Sequence, residues 1–155
     1  MNQYYINWLR KSDHCDWYLV NCNDGSYYPD PTVTGYVTSV HLGNQNLIGT
    51  IPKEVTSLSS LELLDFSYNQ LTGTIPSEIA NFAPTLERLS LFHNQLSGTI
   101  PPELGSLTSL IEVSLYVNQL TGTIPPEIGN LVNVRTVRLY DNQLTGTIPP
   151  EFGAL

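Results

Sequence analysis

The string Asn-Gln-Leu-Thr-Gly-Thr-Ile-Pro occurs three times in this chain, at residues 69–76, 118–125 and 142–149, and the copy at 94–101 differs only at Ser97. A weaker fifth copy runs from Gln45 to Pro52. The glycines of the five copies, Gly49, Gly73, Gly98, Gly122 and Gly146, are spaced 24, 25, 24 and 24 residues apart. A fixed period in this range marks a solenoid, in which each unit buries its apolar face only against its neighbours. Such a molecule is a surface carried on a scaffold, so binding is its default function.

The first half of each unit carries a second pattern. Apolar residues stand at Leu61, Leu64 and Phe66, with Asn69 and Leu71 following; the later units repeat this around Asn94, Asn118 and Asn142, and the first has Gln45 at the Asn position. Leu64-x-Phe66 and its equivalents alternate with period two, which predicts a short strand with one buried face. One strand per coil stacks into a parallel sheet. The Asn then turns the chain inward, where its amide satisfies backbone groups of the adjacent coil.

Leu-x-x-Leu-x-Leu-x-x-Asn-x-Leu-x-Gly-x-Ile-Pro at this period resembles the plant-type leucine-rich repeat, over residues 37–155. Trp8, Cys15-Asp16-Trp17 and Cys22 resemble that family's N-terminal cap. The resemblance implies an α/β-type solenoid: a right-handed coil with a concave parallel sheet, a second short strand at Leu-x-Gly-x-Ile, and convex 3₁₀ or short helical turns. It also implies an extracellular recognition module, as in receptor-like kinase ectodomains, receptor-like proteins and polygalacturonase inhibitors. A disulfide between Cys15 and Cys22, stapling the cap, belongs to that implication and is the reading adopted; the alternative is two free thiols in a reducing compartment.

Residues 1–36 are expected to form the cap and a linker loop that bears Tyr27 and Tyr28, with the family's upstream cap helix missing. Residues 37–155 are expected to form five coils, the last incomplete. The chain therefore reads as part of a longer protein, with any signal peptide, membrane span or kinase domain outside it. The coil of 25 residues is expected to bulge on the convex side near Ala83-Pro84.

Lysine and arginine total 6 against 14 acidic residues, a net charge of −8. That balance argues against nucleic acid, whose phosphates need a basic surface, and against an electrostatic grip on anionic lipid. Part of the acidity is structural: Glu54, Glu78, Glu103, Glu127 and Glu151 each follow the Ile-Pro proline by two residues, where the first turn of a helical segment favours a carboxylate. No cofactor is expected. No G-x-S-x-G, H-E-x-x-H or phosphate-binding loop occurs, and His41, Asp65 and His93 match no metal or acid–base spacing. Catalysis is not expected of this chain.

Inward strand positions are taken by the core, so outward ones are left for a ligand. Phe92, Tyr116 and Tyr140 fall in one outward column, flanked by Tyr68 and His93, with Arg88, Glu112, Arg138 and Asp141 alongside. Adjacent coils of a parallel sheet lie ~4.8 Å apart, so the rings form an aromatic strip. Clustered exposed aromatics with arginine are typical of binding hot spots, although aromatics also suit strands for packing reasons alone. The strip suits an extended peptide, a loop of a protein partner or a glycan. The expected function is a non-enzymatic extracellular recognition module of a receptor-like protein; the alternative is a secreted inhibitor of a hydrolase.

A second ladder supports a third reading. Thr72 and Thr74, Thr99, Thr121 and Thr123, and Thr145 and Thr147 face outward from the second strand segments. Two threonine columns repeated every ~4.8 Å resemble the Thr-x-Thr arrays of ice-binding solenoids. No Asn-x-Ser/Thr sequon occurs in the chain, so no N-glycan would obstruct either face.

Overall fold

Short β-branched or leucine-rich segments recur once per coil, each stopped within a few residues by a turn. In the computed structural model they form strands of two to five residues, and the structure describes residues 20–22 and 37–154. The Cys15–Cys22 pairing, the cap tryptophans, Tyr27 and Tyr28 lie outside the described residues and side chains.

The principal sheet has six strands in the order β1-β2-β4-β6-β8-β10. These are β1 (Val20–Cys22), β2 (Val37–His41), β4 (Leu63–Asp65), β6 (Arg88–Ser90), β8 (Glu112–Ser114) and β10 (Thr136–Arg138). From β2 onward the pairing is parallel and in register: Val40, Leu64, Leu89, Val113 and Val137 stand side by side. β1 was not anticipated. It runs antiparallel to β2, with Val20 opposite Val40, and so covers the sheet edge that would otherwise expose unpaired backbone groups.

The Leu-x-Gly segments form the second ladder. It is divided into β3 (Ile48–Thr50) with β5 (Gln70–Thr72), and β7 (Ser97–Thr99), β9 (Gln119–Gly122) and β11 (Gln143–Leu144). Each Ile-Pro leads into a convex 3₁₀ turn: Lys53–Ser57, Ser77–Phe82, Pro102–Ser106, Pro126–Asn130 and Pro150–Ala154. A glutamate stands in the first turn of each. The extra residue of the second coil is absorbed here: its turn runs six residues where the others run five, ending at the cis Ala83–Pro84 bond.

Between these three faces lies one continuous apolar core. Leu61, Leu86 and Leu110 enter before the strands, and Leu71, Leu96 and Leu120 after them, all fully buried. Burying a leucine contributes about 1.5–3 kcal/mol, so each coil is held chiefly by the side chains it shares with its neighbours.

The asparagines do what no apolar residue could. Asn118 Oδ1 accepts from the Leu96 backbone N–H at 3.0 Å, while its Nδ2 donates to the carbonyls of Leu91 and Leu115, each at 3.0 Å. Asn94 and Asn142 repeat this. Asn69 accepts from both Gln45 and Leu47 N–H and donates to the Leu42 carbonyl at 2.7 Å. Gln45, at the matching position of the first coil, is exposed instead, and its amide donates to the Gly43 carbonyl.

On the convex side coil spacing depends on residue size. A Cβ on Gly105 would stand 2.1 Å from the Glu127 carbonyl oxygen, and one on Gly129 would stand 2.5 Å from the Glu151 Cβ. The equivalent residues of the first two coils are Thr56 and Ala80, so only the later coils approach this closely.

Two outcomes follow in a urea melt. Asn118→Ala should lose about 1–3 kcal/mol, because backbone groups of two coils are left buried and unpaired, whereas Gln119→Ala should stay within ~0.5 kcal/mol. Gly105→Ala should cost about 1–3 kcal/mol or more, as expected for overpacking against backbone. Gly153→Ala, with nothing within 4 Å of its added Cβ, should change stability by less than ~0.5 kcal/mol.

Candidate functional site

Just beyond each strand of the principal sheet, the chain makes two moves that together form the site. The residue two past the strand end still points outward. The next one would point inward in an extended strand, but it takes a left-handed conformation: Asn44, Tyr68, His93, Val117 and Asp141 have φ between 52° and 57°. That rotation keeps Tyr68 and His93 on the concave side, against the edges of the first ring column.

The rings form two ranks. Phe92 stacks on Tyr116 with centroids 4.5 Å apart and planes 10° from parallel, and Tyr116 stacks on Tyr140 at 4.5 Å and 17°. In the second rank Tyr68 stacks on His93 at 4.4 Å and 14°. The ranks meet edge to face: Tyr68 on Phe92 at 5.2 Å and His93 on Tyr116 at 5.7 Å. Strand spacing imposes the face-to-face arrangement, although isolated aromatic pairs prefer offset or T-shaped contact.

This geometry determines what a partner can touch. Within each rank the faces turned toward a neighbouring ring are covered, so solvent meets ring edges, phenol hydroxyls and the outer faces of the end rings. Tyr140 and Tyr68 are the most open, 54% and 52% exposed. Ring edges carry the positive part of the aromatic quadrupole, so the strip presents C–H and O–H donors to an acceptor-rich surface. Partial burial, then the flanking phenols of Tyr140 and Tyr68, raise the Tyr116 phenol above its usual range.

The charged residues expected beside the strip separate into two groups. Arg138 and Glu112 form an ion pair, the one such pair among the described residues. Ser114 completes it, donating to Glu112 at 3.1 Å and accepting from Arg138 at 3.2 Å. Ser114 is only 1% exposed as a result, which corrects the expectation that every outward column is free. Arg88 and Asp141 are exposed and stand outside that pair.

The ring column stops at Phe92 for a local reason. Asp65 Oδ1 accepts from the Ser67 N–H at 2.9 Å and its hydroxyl at 2.6 Å, so Ser67 is buried. Gly43 lies so close that an added Cβ would stand 3.1 Å from both Asp65 and Ser67.

The threonine columns lie on a different face, along β3 to β11. Thr72, Thr121 and Thr145 each donate their hydroxyl to the glycine carbonyl of the preceding coil, Gly49, Gly98 and Gly122, at 3.0–3.3 Å. The methyls of Thr74, Thr99 and Thr123 fill the space over Gly98, Gly122 and Gly146, where an added Cβ would come within 2.9–3.0 Å. Those glycines also hold φ of 76–80°, which glycine alone adopts without strain. Thr147 is exposed.

No group of three metal-ligating side chains occurs among the described residues, and none of their helices is long and apolar enough to cross a membrane.

Sequence reasoning missed the left-handed column. Its signal was present in Asn44 and Asp141, residue types that tolerate this conformation. Val117 does not: a β-branched residue at φ 54° is strained. Val117→Asn should therefore raise stability by roughly 0.5–1 kcal/mol, part of the usual cost of such a conformation; a melt unchanged or lowered would show that the valine side chain packs well enough to offset it.

The Leucine Rich Repeat family model matches residues 60–82, 85–107, 109–131 and 133–155. Among curated proteins, the chain is 34% identical over 71 residues to Receptor-like kinase TMK4 of Arabidopsis thaliana, covering 46% of this chain and 7% of that protein. It is 37% identical over 81 residues to Polygalacturonase inhibitor 1 of the same plant, covering 51% of this chain and 23% of that one. Among solved structures it resembles the ectodomain of the Arabidopsis receptor kinase GASSHO1/SCHENGEN3 in complex with CASPARIAN STRIP INTEGRITY FACTOR 2. That match has a TM-score of 0.84 and 37% identity, over 99% of this chain and 18% of the other. The Arabidopsis receptor kinase HAESA, in complex with the peptide hormone IDA and the co-receptor SERK1, matches with a TM-score of 0.72 and 39% identity over 75% of this chain and 20% of the other. The chain thus spans less than a quarter of the length of each of these proteins.

Proposed function

Because this chain belongs to the leucine-rich repeat family, we propose that it is a non-enzymatic recognition module, the extracellular part of a receptor-like protein, that binds a peptide or protein through its concave sheet. The observation that carries this reading is the ring cluster of Tyr68, Phe92, His93, Tyr116 and Tyr140, packed by coil spacing into one rigid block. Rigid aromatic area that is already ordered loses little freedom on binding. An extended chain suits the length of the strip, where stacking covers the faces between neighbouring rings, whereas a sugar would find a free ring face only at the end rings, Tyr140 and Tyr68. The relatives point the same way: HAESA is in complex with a peptide hormone and a co-receptor, and partners of either kind would suit the outward columns here.

The second reading is a secreted inhibitor of a hydrolase, supported by the similarity to Polygalacturonase inhibitor 1. It would use the same face. The threonine columns we assign to fastening adjacent coils, since the hydroxyls of Thr72, Thr121 and Thr145 and the methyls of Thr74, Thr99 and Thr123 are engaged by neighbouring glycines; ice binding would have to use the remaining exposed halves of these side chains.

A displayed library of random extended peptides, panned against the immobilised chain, tests the leading reading. Selected peptides should lose at least ~2 kcal/mol of affinity for Tyr116→Ala with Tyr140→Ala, the scale of hot-spot truncation. They should bind unchanged to the convex pair Glu103→Ala with Glu127→Ala. Peptides sensitive only to the convex pair would overturn the concave-face model. Dose-dependent inhibition of a polygalacturonase by the chain, lost in the tyrosine pair, would favour the inhibitor instead.

A further inference from the structure

Tyr116 and Tyr140 are neighbours in a sense that no other pair of phenols among the described residues is. They leave homologous positions of adjacent coils, two residues beyond the paired Ser114 and Arg138, and their rings stack at 4.5 Å with planes 17° apart. The next ring along the rank is Phe92, which has no hydroxyl, and Tyr68 touches Phe92 and His93 rather than Tyr116. Tyr116 and Tyr140 are thereby the one pair of phenol rings in stacking contact among the described residues. A second fact concerns competition: every Trp, Cys and Met of the chain lies within residues 1–22. Throughout the coils, tyrosine is the most readily oxidised side chain present.

We propose that Tyr116 and Tyr140 are a site of oxidative modification, at which a peroxidase-class one-electron oxidant joins the two rings through their ortho carbons into a dityrosine that staples the fourth coil to the fifth. Each phenol gives up one electron and one proton and becomes a phenoxyl radical, whose unpaired spin is shared by the oxygen and the ortho carbons. The two radicals form one carbon–carbon bond. The two hydrogens displaced from those carbons pass, through solvent, to the oxygens, and both rings become aromatic again. Overall two electrons and two protons leave the pair, and hydrogen peroxide takes them to become two waters.

The scaffold favours this coupling over its competitors. Two radicals held in contact react as one molecule, with the high effective concentration that fixed orientation confers. Tyr140 is 54% exposed and sits at the open end of the rank. An oxidant therefore reaches it directly, and bond formation requires this exposed ring to turn from face-to-face to edge-to-edge. Arg138, two residues before Tyr140 in the chain, is held by Glu112 of the preceding coil.

Treatment of the dilute purified chain with hydrogen peroxide and a haem peroxidase tests the proposal. The product should run as a monomer and show the blue fluorescence of dityrosine. Trypsin should release residues 89–135 and 139–155 as one linked species, lighter than their sum by two hydrogen atoms. The yield should not depend on protein concentration. Tyr140→Phe keeps the stack but lacks the second phenol, and should abolish that linked species at an unchanged circular-dichroism spectrum. Three results would overturn the proposal: tyrosines consumed without the linked peptide; links that grow with concentration and join separate copies; or links to the Tyr68 peptide, residues 54–88, in comparable yield.

Discussion

A solenoid must turn its backbone inward after every strand, into a region without water, and the side-chain amide of asparagine makes that possible here. Each of Asn69, Asn94, Asn118 and Asn142 accepts from one coil and donates to carbonyls of its own and the preceding coil. Left unpaired, those groups would cost about 1–3 kcal/mol each. Because each amide bridges coils, it also fixes their register. A strand shifted by one residue would send every outward side chain inward. The ring column, the ion pair and the threonine columns all depend on that register.

Register alone does not produce the aromatic block. Strand spacing places Phe92, Tyr116 and Tyr140 at stacking distance, and the left-handed turn after them brings Tyr68 and His93 against their edges. The result differs from a row of exposed ring faces. The rings shield one another's inner faces, and what remains for a partner is a line of ring edges and hydroxyls with Tyr140 at its open end. The same closeness that makes the block rigid makes the two phenols one oxidisable unit.

The polar columns beside it carry two roles that a sequence cannot separate. Arg138 and Glu112 neutralise each other over Ser114, whereas Arg88 stands free of that pair. Threonines on the other ladder have hydroxyls turned onto glycine carbonyls and methyls seated over the next glycine. Repetition at a surface is therefore weak evidence of a ligand: coils that stack identically repeat their fasteners as faithfully as their binding residues.

The period and the strand alternation were enough to determine the solenoid, its parallel sheet and the column in which three rings align, and the resemblance carried by the Asn-x-Leu-x-Gly-x-Ile-Pro string added the convex turns. Those features are legible because each depends on spacing within one unit, and the same local sequence folds the same way five times. What the tertiary structure decided lies between units. It set which outward residues are covered, as Ser67 and Ser114 are; which charges cancel; where Gly105 must be small because the next coil's backbone lies against it; and which ring parts remain open. None of these follows from a single repeat, because each depends on the distance and orientation of side chains about 24 residues apart in sequence, and only the stacking of the coils brings them into contact.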